Sequence, residues 1–211
     1  PLHKRYEHGL QLAEEGADIL DIGGESTRPG AEEVSVHSEL ERVIPVIEAL
    51  SARGLVVSVD TSKPEVMTAA AQVGAQIIND VYALRRDGAL EAAEKSGCGV
   101  CLMHMRGEPR TMQKNPVYTD LLSEVKSFLA ERARALTDLG VSAEKIVLDP
   151  GASSSCILRS RAASSDFNCF SSSSFFHTLL AISCNCGISF PAPRSSPLYW
   201  SMVEGIFSSA F

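Results

Sequence analysis

Short apolar runs alternate with longer amphipathic stretches along the first 151 residues. Five runs rich in β-branched residues predict strands, at residues 18–22, 56–60, 76–81, 99–104 and 145–149. Strands that alternate with helical stretches are typical of a parallel sheet covered by helices. The sequence therefore predicts an α/β domain over this region.

Three helices are predicted between these strands. Residues 118–139 repeat apolar side chains at helical spacing. A second helix is predicted after Ser62, which has the spacing of a capping box with Glu65. A third covers residues 35–50, and Pro45 inside it is expected to kink or break it.

The composition changes abruptly after Gly151. Residues 152–211 contain no Lys, four of the six cysteines and a run of four serines. Their apolar positions follow neither the helical nor the strand period. We expect two regions: 1–151, which forms the barrel portion described below, and 152–211, an irregular Ser- and Cys-rich segment. Out-of-frame translation or a misjoined gene is favoured for the second region over a genuine appended segment.

Composition also disfavours several kinds of partner. The net charge is -7 and the pI is about 5.3, without a local Lys/Arg cluster, which argues against nucleic-acid binding. No apolar stretch approaches the roughly 18 to 20 residues of a membrane helix, and no signal peptide is recognisable. We therefore expect a cytoplasmic protein without a membrane partner.

Cys98 and Cys101 lack a redox context and are expected to be buried thiols, and no metal site can be drawn.

Polar side chains follow all five predicted strands. They are Asp21, Asp60, Asn79 with Asp80, His104 with Arg106, and Asp149. Each is also compatible with a helix cap, a turn or, for His104, a packed position. Together they lie at the end of a parallel sheet where ligands bind. Carboxylates accept paired N–H bonds and an amide matches a mixed edge, so the set suits a flat, donor-rich heterocycle.

Five segments in family order and spacing resemble dihydropteroate synthase, the sulfonamide target of folate synthesis. They are DIGGESTRPG at 21–30, VDTSKP at 59–64, INDV at 78–81, LMHM at 102–105 and LDPG at 148–151. The resemblance covers about residues 6–151 and implies a TIM (β/α)8-type barrel, here incomplete with five recognisable strands. It implies an enzyme that condenses 7,8-dihydropterin methyl diphosphate with p-aminobenzoate to dihydropteroate and diphosphate.

The resemblance also assigns two groups of contact residues. The pterin group is Asp60, Asn79, Asp149 and Met103, and the loop group for p-aminobenzoate and diphosphate is Thr27, Arg28 and Pro29. No side chain is assigned as nucleophile or base, because positioning and charge stabilisation carry such a reaction. Mg²⁺ is the implied cofactor, with its protein ligand expected on a strand before Pro1. A homodimer is left open.

Three family motifs have no counterpart after Gly151. They are a Phe-Gly-Phe-Gly-Lys-like stretch, a Ser-Arg-Lys strand end and an Arg-x-His strand end. Activity of this chain is therefore expected to be impaired. Two alternatives stay open: a non-catalytic pterin-binding module, and the pterin-binding domain of a corrinoid methyltransferase. The STRPG and LMHM segments favour the synthase over the methyltransferase.

Overall fold

A computed structural model of the chain describes residues 2–25, 33–105, 107 and 118–150. Helices and strands alternate along it. The helices are α1 (Leu2–Glu14), α2 (Val36–Ser51), α3 (Pro64–Gln72), α4 (Ala89–Ser96) and α5 (Leu121–Asp138). The strands are β1 (Ile19–Gly23), β2 (Val56–Asp60), β3 (Ile77–Asp80), β4 (Gly99–Met103) and β5 (Ile146–Asp149). Every predicted strand is present within one residue of its predicted bounds.

The five strands form one parallel sheet in the order β1-β2-β3-β4-β5. A sequential parallel order with intervening helices is the arrangement of a βα-barrel wall. The predicted α/β class and consecutive βα units are confirmed. The predicted irregular segment at 152–211 lies outside the described residues. Within the described part of the chain, no helix is long and apolar enough to cross a membrane.

The main core lies between one face of the sheet and the helices. Strand side chains in this core are Leu20, Ile22, Val57, Val59, Ile78, Val100 and Leu102, and helix side chains that share it include Val43, Ile47, Leu50, Met67 and Leu136. Successive side chains of a strand point to opposite faces, so every second strand residue is turned away from this core. The other face carries Asp21, Asp60, Asn79 and Asp149, whereas Asp80 lies on the helix side.

Helix α2 runs without interruption through Pro45, so of the predicted kink or break the break does not occur. Pro45 removes one backbone hydrogen bond, but the helix buries Val43, Val46, Ile47 and Leu50 completely. Tertiary packing of this apolar face supplies more stability than one intrahelical bond. At its N-terminus, Ser35 accepts a hydrogen bond from the backbone N–H of Ser38.

Helix α3 begins at Pro64 with Lys63 as its N-cap residue, and no side chain caps it. The predicted capping box of Ser62 and Glu65 is therefore wrong. Proline fits the first helical position, so the helix starts there rather than after Ser62. The hydroxyl of Thr61 accepts from the backbone N–H of Lys63 at 3.2 Å instead.

Candidate functional site

Polar side chains cluster on the sheet face that is turned away from the helices. Strand register places Gly23 opposite Asp60, Asp60 opposite Asn79, and Met103 opposite Asp149. The strands are parallel, so these residues share the C-terminal edge of the sheet. The structure thus brings the four predicted pterin residues to one face and one edge. Thr27, Arg28 and Pro29 lie outside the described residues.

Asp60 lies among several acidic residues. Burial, followed by the negative charge of Asp21, raises the pKa of Asp60 well above its usual range, and Asp80, Glu39 and Glu25 add to the rise. The negative form is therefore costly without a donor beside it. A ligand that offers N–H groups or a positive charge at this edge would relieve that cost.

Asn79 is held by Asp21 across the intervening strand β2. Its Nδ2 donates to Asp21 Oδ2 at 3.0 Å, and Asp21 is 6% exposed. Burial raises the pKa of Asp21, against which hydrogen bonds from Ser58 and Asn79 act. The other oxygen, Oδ1, is buried without a hydrogen-bond partner among the described residues. The sequence placed Asp21 at a strand end, but the resemblance assigned it no contact.

Asp80 points to the other side of the strand and builds the turn that follows it. Its carboxylate accepts from the backbone N–H groups of Tyr82 and Leu84 at 2.8 and 2.7 Å. Burial raises its pKa to about 6. Ala83 and Leu84 adopt left-handed φ values of 51° and 58°, and Arg132 donates to both of their carbonyls at 2.8 Å. Asp80 is thus a turn residue, while its neighbour Asn79 faces the candidate site.

A buried ion-pair network lies next to the C-terminal end of β1. The ammonium of Lys63 pairs with Glu25 and Glu39, and Thr61 Oγ1 donates to Glu39 Oε1 at 2.6 Å. Burial opposes the charge of Lys63, but the hydrogen bonds that its ammonium donates to the two carboxylates outweigh burial and raise the pKa of Lys63. The network joins the end of β1 to α2 and α3. Sequence reasoning missed it, because the three charges are far apart along the chain.

His104 is packed among aromatic rings rather than turned into open space. It is 7% exposed, and its ring meets that of Phe128 edge-on at 5.1 Å between centroids. Its backbone N–H donates to the carbonyl of Asp149 at 2.7 Å. Of the two interpretations left open, the structure supports a packed histidine. Arg106, the other polar residue after this strand, lies outside the described residues.

Neither redox nor metal chemistry has a built site in the described part of the chain. Cys98 and Cys101 are free and buried, as expected, and burial raises the pKa of Cys101 well above its usual range. A buried, protonated thiol is a poor nucleophile. No group of three or more His, Cys, Asp or Glu residues among those described could hold a metal ion. No described residue is therefore assigned as a ligand of Mg²⁺.

A comparison with known protein families shows which family the chain belongs to. A model of pterin binding enzymes matches residues 2–183, most of the chain. The chain belongs to this family. It is 53% identical over 146 residues to the dihydropteroate synthase of Escherichia coli K12, which covers 69% of this chain and 52% of that protein. It spans about half the length of the curated relatives it matches.

Solved structures of pterin-binding enzymes resemble this chain as well. Yersinia pestis dihydropteroate synthase, solved with a sulfonamide drug, superimposes with a TM-score of 0.73 at 43% identity, covering 76% of this chain and 61% of that one. The Burkholderia cenocepacia enzyme, solved with 7,8-dihydropteroate, has a TM-score of 0.63 at 52% identity, covering 70% and 52%. Identities at this level support a shared fold and a shared position of the strand ends.

Proposed function

We propose that this chain carries the pterin-binding portion of a dihydropteroate synthase. The observation that carries the proposal is the placement of Asp60, Asn79 and Asp149 on one face and one edge of the parallel sheet. Relatives that bear this name match the chain at about half identity. The whole protein would condense 7,8-dihydropterin methyl diphosphate with p-aminobenzoate.

The polar edge suits the pyrimidinone side of a pterin. Asp149 and Asp60 accept N–H groups, while Asn79 offers both an acceptor and a donor. Met103, opposite Asp149 in the register, supplies an apolar surface for the ring face. Once a bound ligand covers it, a set of this kind rejects ligands that lack the matching groups, because its own polar atoms would then stay unpaired.

In the proposed reaction the bond between the pterin methylene carbon and the diphosphate oxygen breaks, and its electron pair leaves with diphosphate. The arylamine nitrogen of p-aminobenzoate forms the new bond to that carbon and then loses a proton to solvent. The strand-end residues bind and orient the pterin and perform no covalent step. Thr27, Arg28 and Pro29 are proposed to serve p-aminobenzoate and diphosphate. A role of Mg²⁺, a cytoplasmic location and a homodimer stay predictions.

Calorimetric binding of 6-hydroxymethylpterin to the 211-residue chain tests the proposal. Asp60→Asn and Asp149→Asn should each weaken binding by about tenfold to a hundredfold, since each replaces an oxygen that can accept by an amide nitrogen that only donates. Asp138→Asn makes the same change at an exposed position near the end of α5 and should have no effect. Failure of the unsubstituted chain to bind, or equal affinities for all variants, would contradict the proposal.

A further inference from the structure

Asp21 lies deeper in the fold than the proposed pterin residues. It comes two positions before Gly23, which pairs with Asp60 across β1 and β2. Asp21 itself pairs with Ser58, so its side chain shares the polar face. Alternate strands contribute side chains to the same layer inside βα barrels. This is how Asp21 on β1 reaches Asn79 on β3, at 3.0 Å.

The direction of this hydrogen bond matters because the Asn79 amide has two unlike ends. One end carries two N–H donors, and the other is a carbonyl acceptor. A carboxylate accepts only, so Asp21 holds the nitrogen end towards itself. Rotation of the amide by half a turn would place the Asn79 carbonyl against the Asp21 carboxylate, so that two acceptors would face each other. Asp21 is 6% exposed, so little water is present to compensate for the lost hydrogen bond. Asn79 thus keeps its carbonyl and its second N–H in a fixed spatial order.

We propose that Asp21 is a positioning residue that sets the donor–acceptor order of Asn79 and so selects the edge of the bound heterocycle. The inference rests on the proposed pterin function and deepens it. Asn79 in its fixed order matches a ligand edge with an acceptor ring nitrogen beside an amino donor, as in a 2-amino-4-oxo pterin. Lumazine, the 2,4-dioxo analogue, reverses that edge, because N1 becomes a donor and the 2-substituent an acceptor.

The experiment measures the ratio of the dissociation constants of lumazine and 6-hydroxymethylpterin for each variant of the chain. Asp21→Asn keeps the size of the side chain but adds a donor, so Asn79 can bond to it in either orientation. The ratio should then fall by about tenfold, through weaker pterin binding, stronger lumazine binding or both. Ser58→Ala is the matched control. It changes the residue that pairs with Asp21 in the strand register, leaves Asn79 held, and should keep the ratio within about twofold.

A second pair of variants separates this role from a general loss of structure. Asn79→Ala should lower the ratio by itself, and Asp21→Asn added to it should then change the ratio no further. If Asp21→Asn acted only by perturbing the structure, its effect on the ratio would persist in the double variant. Circular dichroism confirms that each chain tested is folded.

The outcomes distinguish the inference from the function beneath it. A chain that binds neither ligand contradicts the proposed function and, with it, this inference. Pterin binding with an unchanged ratio in Asp21→Asn, or an equal effect of that substitution with and without Asn79, refutes the inference and leaves the pterin function standing.

Discussion

Replacing Lys63 by Met should strongly destabilise the fold. Lys63 is 5% exposed, and its ammonium lies between Glu25 and Glu39, of which Glu39 is 1% exposed. Met fills much of the same volume but carries no charge. The substitution therefore leaves Glu39 as a buried carboxylate that retains the hydrogen bond from Thr61, at 2.6 Å.

The expected loss follows from the burial of Glu39. Removing one partner of a buried ion pair costs about 3–5 kcal/mol, because the remaining charge is uncompensated. Glu25 adds less, since its side chain is 22% exposed and water can replace the lysine. Single domains have a free energy of unfolding of about 5–15 kcal/mol, so the variant should lose a large share of its stability.

Urea unfolding at pH 7, followed by circular dichroism, measures the loss. Glu25→Gln is the control for the half-buried partner and should cost about 1 kcal/mol or less. The double variant Lys63→Met with Glu39→Met removes the stranded charge and should recover most of the loss. A Lys63→Met chain within about 1 kcal/mol of the unsubstituted protein would refute the reasoning, as would a double variant as unstable as the sum of the two single ones.

Three further outcomes are expected. Gly24→Ala should destabilise the fold by about 1–3 kcal/mol in urea unfolding, since the new Cβ would lie within 2.9 Å of two α2 side chains, whereas Gly99→Ala, with 3.6 Å, should not crowd its neighbours. Asp80 has a folded pKa of about 6, above the unfolded value of 3.8, so its stabilising contribution is lost as pH rises from about 4 to 6. The side chain of Asp80→Asn does not titrate, so the free energy of unfolding of this variant should rise relative to that of the unsubstituted chain by about 2–3 kcal/mol between pH 4 and pH 7. A difference that stays constant with pH would contradict this. The 211-residue chain should release no measurable diphosphate from pterin diphosphate and p-aminobenzoate, because residues 152–211 contain no Lys to match the family motif; turnover within tenfold of a full-length relative would contradict that prediction.

Local pattern was sufficient for the strands and the positions of their polar ends. The runs of β1 to β4 are buried on the helix side and that of β5 is partly buried there. A run of this kind specifies a strand largely through residues next to one another in sequence. The same holds for α5, whose apolar spacing predicted Leu121–Asp138 closely. The shorter α4 was not singled out. It has eight residues and lies between Gly88 and Gly97, both left-handed, so its pattern was too brief to recognise.

Contacts between residues far apart in sequence were decided only by the tertiary structure. Packing of α2 against the sheet kept that helix continuous through Pro45. The two neighbours Asn79 and Asp80 look alike in the sequence, yet one faces the polar edge and the other bonds its own turn. Asp21 reaches Asn79 over 58 positions of sequence. No local sequence pattern specifies this contact, because it arises from the parallel pairing of three strands in one register.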